Sequence, residues 1–279
     1  MSTNNSSMKN RTVFITGGSR GIGRAIALAC GREGANVVIA AKSDKPHPKL
    51  PGTIHTVADE VREAGGQALP LMLDVRDEEL VKERMKEAAE HFGGIDMLVN
   101  NAGAIRLQGV EKLPVKRYDL MHEVNARAVF LCSQAALPWL KESDQGHILS
   151  LSPPLNMNPK WFAQHSAYTT TKYAMSMLTL GMAQEFKKYG IAVNSLWPRT
   201  LIATAAIEFE VGGPEMMKKG RKPDIMADAV LNILSHRGNA RTGQTLIDED
   251  VLRDAGVTDF DQYRYSSGDE PLMDDLFLD

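Results

Sequence analysis

Hydrophobic and polar positions follow two alternating patterns along most of the chain. Short apolar runs rich in β-branched residues, bounded by glycines or polar residues, predict buried strands. Segments with helical spacing, several of them ended by glycine, lie between these runs and predict helices. The predicted strands cover 12–18, 36–42, 68–75, 95–103, 147–152, 191–198 and 244–248. The predicted helices cover 21–34, 56–66, 78–94, about 115–140, 166–188 and about 224–235.

The alternation of strand and helix continues through residues 11–248 without an internal domain boundary. Parallel strands need crossover connections, which helices supply. The pattern therefore predicts an α/β fold, with a parallel sheet that carries helices on both faces. The polar residues 1–10 predict a short disordered tail. Residues 249–279 form an acidic C-terminal extension that either wraps the domain or contacts a partner.

Composition and charge exclude several classes of function. The net charge of −3 gives no basic field for nucleic acid or an anionic membrane. No apolar run reaches the roughly 18 residues of a membrane span, and no histidine pair has metal-ligand spacing, so we expect neither a membrane span nor a metal site. Cys30 and Cys132 lie in apolar helical patterns. Two such cysteines form no disulfide framework and predict a reducing compartment, the cytoplasm.

The segment "TGGSRGIG" lies between the first strand and the first helix. Glycine lets the backbone approach a phosphate closely, and a helix start offers free N–H groups to an anion. In this position the segment predicts a dinucleotide phosphate loop, against the alternative of a glycine-rich turn without a ligand. The candidate cofactor-binding residues of the loop are Gly17, Ser19, Arg20, Gly21, Ile22 and Gly23.

The end of the second strand distinguishes NADP(H) from NAD(H). NAD sites usually carry an acidic residue there, which binds the ribose 2′-hydroxyl. This chain has Ala40, Ala41 and Lys42 instead. Lys42 and Arg20 can pair with a 2′-phosphate, so we expect NADP(H), unless both cations are only solvated. Asp74, after the third strand, can accept a hydrogen bond from the adenine amino group or can simply end the strand.

Several motifs together resemble the short-chain dehydrogenase/reductase family over about residues 10–248. They are the glycine loop, "NNAG" at 100–103, Asn125, the spacing from Tyr168 to Lys172, and "NSLWP" at 194–198. The segments "PHPKLPGTI", "SPPLNMNP" and "LWPRTLIATAA" are similar to the hydroxysteroid dehydrogenase-like branch of that family. Some members of this branch carry a sterol-carrier domain downstream, which we do not expect in this chain.

The resemblance implies a doubly wound Rossmann fold with about seven parallel strands and a nicotinamide cofactor. It implies that Tyr168 exchanges a proton with the substrate oxygen. Lys172 would bind the nicotinamide ribose and lower the pKa of that tyrosine, and Asn125 would hold a helix kink and a water of the proton relay. Further cofactor contacts of the family fall on Asn101, Ala102, Gly103, Pro198, Thr200 and Thr204.

The serine of the family has no direct counterpart here. It lies 13 residues before the tyrosine, where this chain has Leu155, and alignment of the strand places Pro153 there instead. Ser152 is the best candidate to polarise a carbonyl group, unless it only ends the strand. The following loop, residues 155–162, is apolar. It borders either an apolar substrate pocket or an oligomer contact.

These observations predict an NADP(H)-dependent oxidoreductase. Its expected substrate is the carbonyl or alcohol of an apolar small molecule, such as an aliphatic or terpenoid aldehyde or ketone, an acyl derivative or a steroid. The alternative is a non-catalytic NADP(H)-binding sensor or scaffold, which measurable turnover would exclude. The helices at about 105–140 and 166–188 carry apolar residues on more than one face and pair across a twofold axis in the family, so we expect a homodimer or larger homo-oligomer. We expect 200–217 to form a lid.

Overall fold

A parallel sheet of seven strands forms the centre of the protein. The computed structural model describes residues 8–48, 50–236, 241–268 and 270–279. The strands are β1 Thr12–Thr16, β2 Asn36–Ala41, β3 Gln67–Met72, β4 Met97–Asn100, β5 His147–Ser150, β6 Ala192–Trp197 and β7 Thr245–Ile247. Their order in the sheet is β3-β2-β1-β4-β5-β6-β7, and all neighbouring strands are parallel. The predicted doubly wound Rossmann fold is confirmed. Strands β2 and β3 are added on one side of β1 and strands β4 to β7 on the other, so the strand order reverses between β1 and β4.

Helices cover both faces of the sheet. They are α1 Gly21–Arg32, α2 Ile54–Glu63, α3 Glu78–Phe92, α4 Val115–Met121, α5 Ala128–Glu142, α6 Ser166–Glu185, α7 Gly213–Lys218, α8 Asp224–Leu234 and α9 Asp248–Asp254. Successive side chains of a strand point to opposite faces. Ile15 of β1 therefore joins the core formed with α1, α2 and α8, whereas Phe14 joins the core formed with α3, α5 and α6.

The predicted helix at about 115–140 is interrupted by a π-helical turn. This turn, His122–Arg127, joins α4 to α5 and contains Asn125. A π turn inserts an extra residue into a helix and re-aims the side chains around it. Asn125 is fully buried as a result of its place in this turn. The remaining short turns are the 3₁₀ turns Pro159–Trp161, Phe186–Tyr189 and Asp261–Tyr263 and the π turn Ile207–Gly212.

The C-terminal extension packs on its own domain, beside the end of β6. The backbone N–H of Leu201 donates to the carbonyl of Met273, and the N–H of Asp275 donates to the carbonyl of Arg199, both at 3.0 Å. The indole N–H of Trp197 donates to the carbonyl of Leu276 at 2.9 Å. Of the two alternatives for the extension, the structure therefore shows contact with the domain itself.

The N-terminal residues are described from Met8 onward. Residues 1–7 of the predicted tail lie outside the described residues, whereas Met8 is buried in the core beside α1 and β2. Residues 8–10, which the sequence assigned to the disordered tail, therefore belong to the described structure. Within the described ranges, no helix has both the length and the apolar character needed to cross a membrane.

Candidate active site

A cavity of about 860 Å³ opens at the carboxyl ends of the central strands. Its walls come from the segments that follow β1, β2, β3, β4, β5 and β6. In open α/β sheets, ligands bind at this edge, where the strand order reverses. The cavity therefore lies where the fold leads one to expect a ligand, and its volume suits a ligand of drug size or larger.

The glycine loop forms one end of the cavity. Gly17 and Gly21 have φ angles of 68° and 53°, a backbone conformation that favours glycine. A Cβ atom on Gly23 would lie 2.4 Å from the carbonyl oxygen of Gly17. The Asn101 side-chain amide donates to the carbonyls of Thr16 and Gly17 at 2.8 and 3.0 Å. The first turn of α1 has no side-chain cap, so its N–H groups are available to an anion such as a diphosphate.

Two cations and a hydroxyl lie together beyond this loop. The Arg20 guanidinium donates to the Ser43 hydroxyl at 2.5 Å. The Lys42 ammonium lies 3.3 Å from the Asp74 carboxylate, and its side chain is 62% exposed. All these residues line the cavity. Sequence reasoning missed Ser43, although its position directly after Lys42 is a signal that could have identified it.

Arg76 is a second residue of this region that sequence reasoning missed. Its guanidinium donates two hydrogen bonds to the two oxygens of Asp74, at 2.7 and 3.0 Å. This pairing holds the pKa of Asp74 well below its usual range, with a smaller contribution from Lys42. The Asp74 carboxylate is therefore ionised at neutral pH and can act only as an acceptor.

Tyr168 and Lys172 lie on one face of the first turns of α6, and both line the cavity. They are 5% and 7% exposed. The Lys172 ammonium donates to the carbonyl of Leu151 at 2.9 Å and lies 5.2 Å from the centre of the Trp197 ring. Burial lowers the pKa of Lys172 to about 8, because the buried ammonium loses hydration.

In the structure, burial raises the pKa of Tyr168 above its usual value. The lowering by Lys172 that the resemblance implied stays a prediction for the cofactor-bound site. The phenolate would lose its hydration, and the nearby Asp275 carboxyl adds repulsion. The tyrosine therefore rests as the neutral phenol at physiological pH. In this form it can donate a proton to an acceptor oxygen in the cavity.

Asn125 braces the site from behind the cavity wall. Its side-chain NH₂ donates to the carbonyl of Ala104 and to the hydroxyl of Thr171, both at 2.9 Å. Its side-chain oxygen accepts from the N–H of Ala104 at 2.8 Å. A Cβ atom on Gly103 would lie 3.6 Å from that oxygen and 4.0 Å from the Lys172 nitrogen. Asn125 thus fixes the segment after β4 close to Lys172.

The structure brings together most of the residues that the sequence predicted. Those lining the cavity are Gly17, Ser19, Arg20, Gly21, Ile22, Lys42, Asp74, Asn101, Ala102, Gly103, Tyr168, Lys172, Pro198 and Thr204. Four others, Gly23, Asn125, Ser152 and Thr200, do not line it. Gly23 and Asn125 support its walls. The Thr200 hydroxyl is buried and has no hydrogen-bond partner within the described ranges.

Ser152 does not line the cavity that Tyr168 and Lys172 line. Its hydroxyl is buried and has no hydrogen-bond partner in the part of the chain that the structure describes. Leu151 lines the cavity. Neighbouring residues of an extended chain point to opposite sides, which explains why Ser152, the next residue, is buried and does not line the cavity. Pro153 occupies the next position and is held by the Ser176 hydroxyl, which donates to its carbonyl at 2.5 Å.

The apolar loop after β5 packs against the C-terminus of the same chain. Phe277 is 1% exposed. The centre of its ring lies between 5.2 and 6.3 Å from the ring centres of Trp161, His165, Tyr168, Tyr173 and Trp197. Sequence reasoning assigned this loop to a substrate pocket or an oligomer contact. Its side chains Leu155, Trp161 and Phe162 instead join the cluster around Phe277.

Comparisons with known proteins agree with this geometry. The family model described as short chain dehydrogenase matches residues 11–209. Hydroxysteroid dehydrogenase-like protein 2 of Bos taurus is 53% identical over 279 residues; the match covers all of this chain and 66% of that protein's length. The crystal structure of a putative dehydrogenase from Xanthomonas campestris is 49% identical, with a TM-score of 0.94 over 98% of this chain and 99% of that chain. A short chain dehydrogenase from Burkholderia cenocepacia J2315 in complex with NADP is 27% identical, with a TM-score of 0.73 over 87% of this chain and 97% of that chain.

The packing of Gly23 generates a prediction about ligand binding at the loop. The substitution Gly23→Ala forces a methyl group against the Gly17 carbonyl and the Asn101 amide. We expect it to weaken NADPH binding at least about tenfold, because the phosphate loop must move. Gly181→Ala is the control, since a Cβ there meets no atom within 4 Å. Fluorescence titration with NADPH measures both variants; equal affinities of Gly23→Ala and wild type would contradict the assignment.

Proposed function

The chain belongs to the short-chain dehydrogenase/reductase family, and we propose that it is an NADP(H)-dependent oxidoreductase of the carbonyl or alcohol group of an apolar small molecule. The observation that carries this proposal is that a single cavity is lined both by the glycine loop and by the Tyr168 and Lys172 pair. Such a cavity suits a dinucleotide bound beside a small substrate.

The preference for NADP(H) is supported by the groups beyond the glycine loop. Arg20, Lys42 and Ser43 offer two positive charges and a hydroxyl to a 2′-phosphate, and β2 ends without a carboxylate. Charge-assisted hydrogen bonds of this kind are stronger than neutral ones. The NADP complex of the Burkholderia cenocepacia relative also supports the proposal. When bound, NADP(H) would supply or accept the hydride.

Tyr168 would handle the proton of the reaction. Because its phenol is neutral at rest, it can give its proton to the oxygen of a carbonyl substrate during reduction, and it would take a proton back during oxidation. Lys172 would hold the cofactor ribose, since its ammonium lies at the same cavity wall. Asn125 would hold the segment after β4 in a fixed position beside Lys172 through its two hydrogen bonds to Ala104.

The lining of the cavity supports an apolar substrate. Its apolar side chains include Ile105, Leu107, Met121, Leu201, Ile207 and Phe209. Arg106 of the segment after β4 pairs with Glu210 of the π turn Ile207–Gly212 at 2.9 Å. This ion pair joins the proposed lid to the opposite side of the cavity. An apolar carbonyl compound would replace water on these side chains.

A non-catalytic NADP(H)-binding protein is the second candidate. The position of Ser152 favours it, because the hydroxyl usual in the family does not line the cavity. A screen with NADPH and a panel of decanal, citral, 2-decanone and a 3-ketosteroid separates the two functions. Loss of NADPH absorbance with any member of the panel supports the enzyme. Absence of turnover across the panel together with tight NADPH binding supports the sensor.

The two cysteines support a cytoplasmic location. Cys30 and Cys132 are free and buried. Burial raises the pKa of each thiol to about 12, so neither is a reactive thiolate at neutral pH. Free, unpaired thiols are typical of a reducing compartment.

A homodimer is proposed from the exposed apolar side chains of α5 and α6. Phe130 is 49% exposed, and Met177 and Leu180 are 56% and 37% exposed. Apolar groups on one surface favour association, and a twofold axis lets the same surface serve both copies. Pairing through these helices would keep the cavity openings free, because none of the three residues lines the cavity.

The cofactor proposal predicts the effect of a charge reversal at the end of β2. Lys42→Asp should weaken NADPH binding at least about tenfold and leave NADH binding equal or improved, because a carboxylate repels the 2′-phosphate and can bind a 2′-hydroxyl. Lys45→Asp, a change of the same charge at an exposed position outside the cavity lining, is the control. Calorimetric titration with both cofactors is the measurement. Tighter binding of NADH than NADPH to the wild type would refute the proposal.

The catalytic proposal predicts the effect of removing one hydroxyl. Tyr168→Phe should lower turnover at least about a hundredfold and leave NADPH affinity unchanged, because the proton donor is lost and the ring packing is kept. Tyr189→Phe removes an exposed hydroxyl of the same type and should change turnover less than about twofold. Steady-state rates on the most active panel compound test this. Turnover of Tyr168→Phe within a few-fold of wild type would show that another group donates the proton.

The dimer proposal predicts the effect of charges on α5 and α6. Wild type should scatter light as twice the chain mass of 30.6 kDa at micromolar concentration. Phe130→Glu combined with Met177→Glu should shift it to the single-chain mass, because buried unpaired carboxylates are costly. Met157→Glu changes a methionine that is more exposed, at 67%, and lies outside these helices, and it should leave the dimer intact. A wild type of single-chain mass would refute the proposal.

A further inference from the structure

Residues 273–279, here called the C-terminal segment, are held on both sides of the cavity. On one side, backbone hydrogen bonds join the segment to Arg199 and Leu201 after β6. On the other side, the Asn156 side-chain NH₂ donates to the Asp279 carboxylate at 2.8 Å, and the Lys160 ammonium pairs with that carboxylate at 2.5 Å. The segment thus bridges the strand β6 and the loop after β5, the two elements that flank α6.

Phe277 fixes the segment next to the catalytic tyrosine. It has a φ angle of 74°, a conformation that is rare for a bulky side chain and that persists only when the surroundings enforce it. The enforcing contacts are the rings around it, including Tyr168, whose ring stacks on Phe277 at an angle of 26°. The Asn156 side chain also donates to the Phe277 carbonyl at 3.2 Å. The position of the segment is therefore strongly determined.

Asp275 is the charged residue that this segment brings to Tyr168 and Lys172. It lines the same cavity. Its Oδ1 atom accepts from the N–H of Leu276 at 2.6 Å, and its Oδ2 atom makes no hydrogen bond to any residue within the described ranges. In its ionised form, Asp275 raises the pKa of both the Tyr168 phenol and the Lys172 ammonium, so it lies close enough to act on both groups.

The cavity lacks a second donor beside Tyr168 from the loop after β5. The buried Ser152 does not line the cavity, and Pro153, at the position that aligns with the family serine, has no N–H or side-chain donor. Lys172 gives one of the three N–H donors of its ammonium to the carbonyl of Leu151. A carbonyl that gains negative charge during reduction is stabilised by donors placed at its oxygen. Asp275, on the C-terminal segment, lines the same cavity and is a group on another element that can supply such a donor.

We propose that Asp275, in its protonated form, is a catalytic residue that donates a hydrogen bond to the substrate oxygen while Tyr168 transfers its proton. This inference rests on the proposed function. The O–H bond of Tyr168 breaks, and an O–H bond forms on the substrate oxygen, whose carbon receives the hydride from NADPH. Asp275 keeps its proton throughout, so no further acid or oxidant is required.

The surroundings of Asp275 favour the protonated acid. Burial raises its pKa to about 7, and repulsion from Asp248 adds to the shift, whereas the hydrogen bond from the N–H of Leu276 and the charge of Lys172 oppose it. Other ionisable residues beside it are Tyr168, which is neutral, the exposed neighbour Asp274, and Arg199, whose guanidinium pairs with Asp250 at 3.2 Å. Below about pH 7 the acid holds its proton and can donate. As the pH rises through about 7 the proton and the donor are lost, so the turnover should fall.

Two substitutions at Asp275 test the role. With decanal and NADPH, Asp275→Ala should lower kcat by about a hundredfold, the usual scale for a lost donor of this kind, without a change in NADPH affinity. Asp275→Asn should keep kcat within about tenfold of wild type, because the amide is an uncharged donor of the same shape. Its kcat should not fall between about pH 6 and 8, because an amide does not ionise. The same two substitutions at Asp261, whose side chain is 87% exposed, are the controls.

A second readout does not depend on turnover. Wild type at about pH 6 should show an infrared C=O band of a protonated carboxylic acid that is absent from Asp275→Asn. The missing band would overturn the proposal, as would kcat of Asp275→Ala within about twofold of wild type. If Asp275→Asn and Asp275→Ala lowered kcat equally, the loss would be due to the missing charge of Asp275 and not to a missing hydrogen-bond donor. If Ser152→Ala lowered kcat more than Asp275→Ala, Ser152 would be the donor to the substrate oxygen.

These outcomes are separate from those of the proposed function. If Tyr168→Phe abolishes turnover and Asp275→Ala does not, only the role of Asp275 fails. If decanal is not reduced, the panel compound with the highest turnover takes its place. If the wild type reduces no panel compound, the proposed function fails, and the infrared band alone decides whether Asp275 is protonated.

Discussion

The parallel alignment of the central strands is the constraint on which the rest of the structure depends. Because β1, β4, β5 and β6 are neighbours and run in one direction, their carboxyl ends meet at one edge. The glycine loop, the "NNAG" turn, the loop after β5 and the segment after β6 all begin there. A reversal of any one strand would carry its loop to the opposite edge, and the cavity would lose a wall.

Burial at this edge has opposite effects on the acidic and basic groups. Removing water raises the pKa of Tyr168 and Asp275 and lowers that of Lys172, because in each case the charged form loses hydration. Burial therefore favours the neutral forms of Tyr168 and Asp275, whereas Lys172, with a pKa of about 8, remains an ammonium at neutral pH. This environment is suited to proton and hydrogen-bond donation, and it results from the C-terminal segment that covers α6.

Local patterns explain how much of the site could be predicted. The glycine loop and the spacing from Tyr168 to Lys172 each depend on one turn or one helix face, so they are visible in the sequence. Arg76 and Ser43 were missed, although each lies within two residues of a predicted site residue. Ser152 was placed in the site on the sequence, but a shift of one position along an extended strand turns a side chain to the other face.

The sequence by itself determined the strands, the main helices, the glycine loop and the spacing of Tyr168 and Lys172 on one helix face, because periodicity and turn chemistry act between near neighbours. The tertiary structure alone decided that Phe277 covers Tyr168 and that Asp275 enters the cavity. Asn156 and Phe277 are 121 positions apart, and Trp197 and Leu276 are 79 apart. Contacts over such separations leave no periodic pattern, since their geometry exists only after the sheet has brought the two elements together.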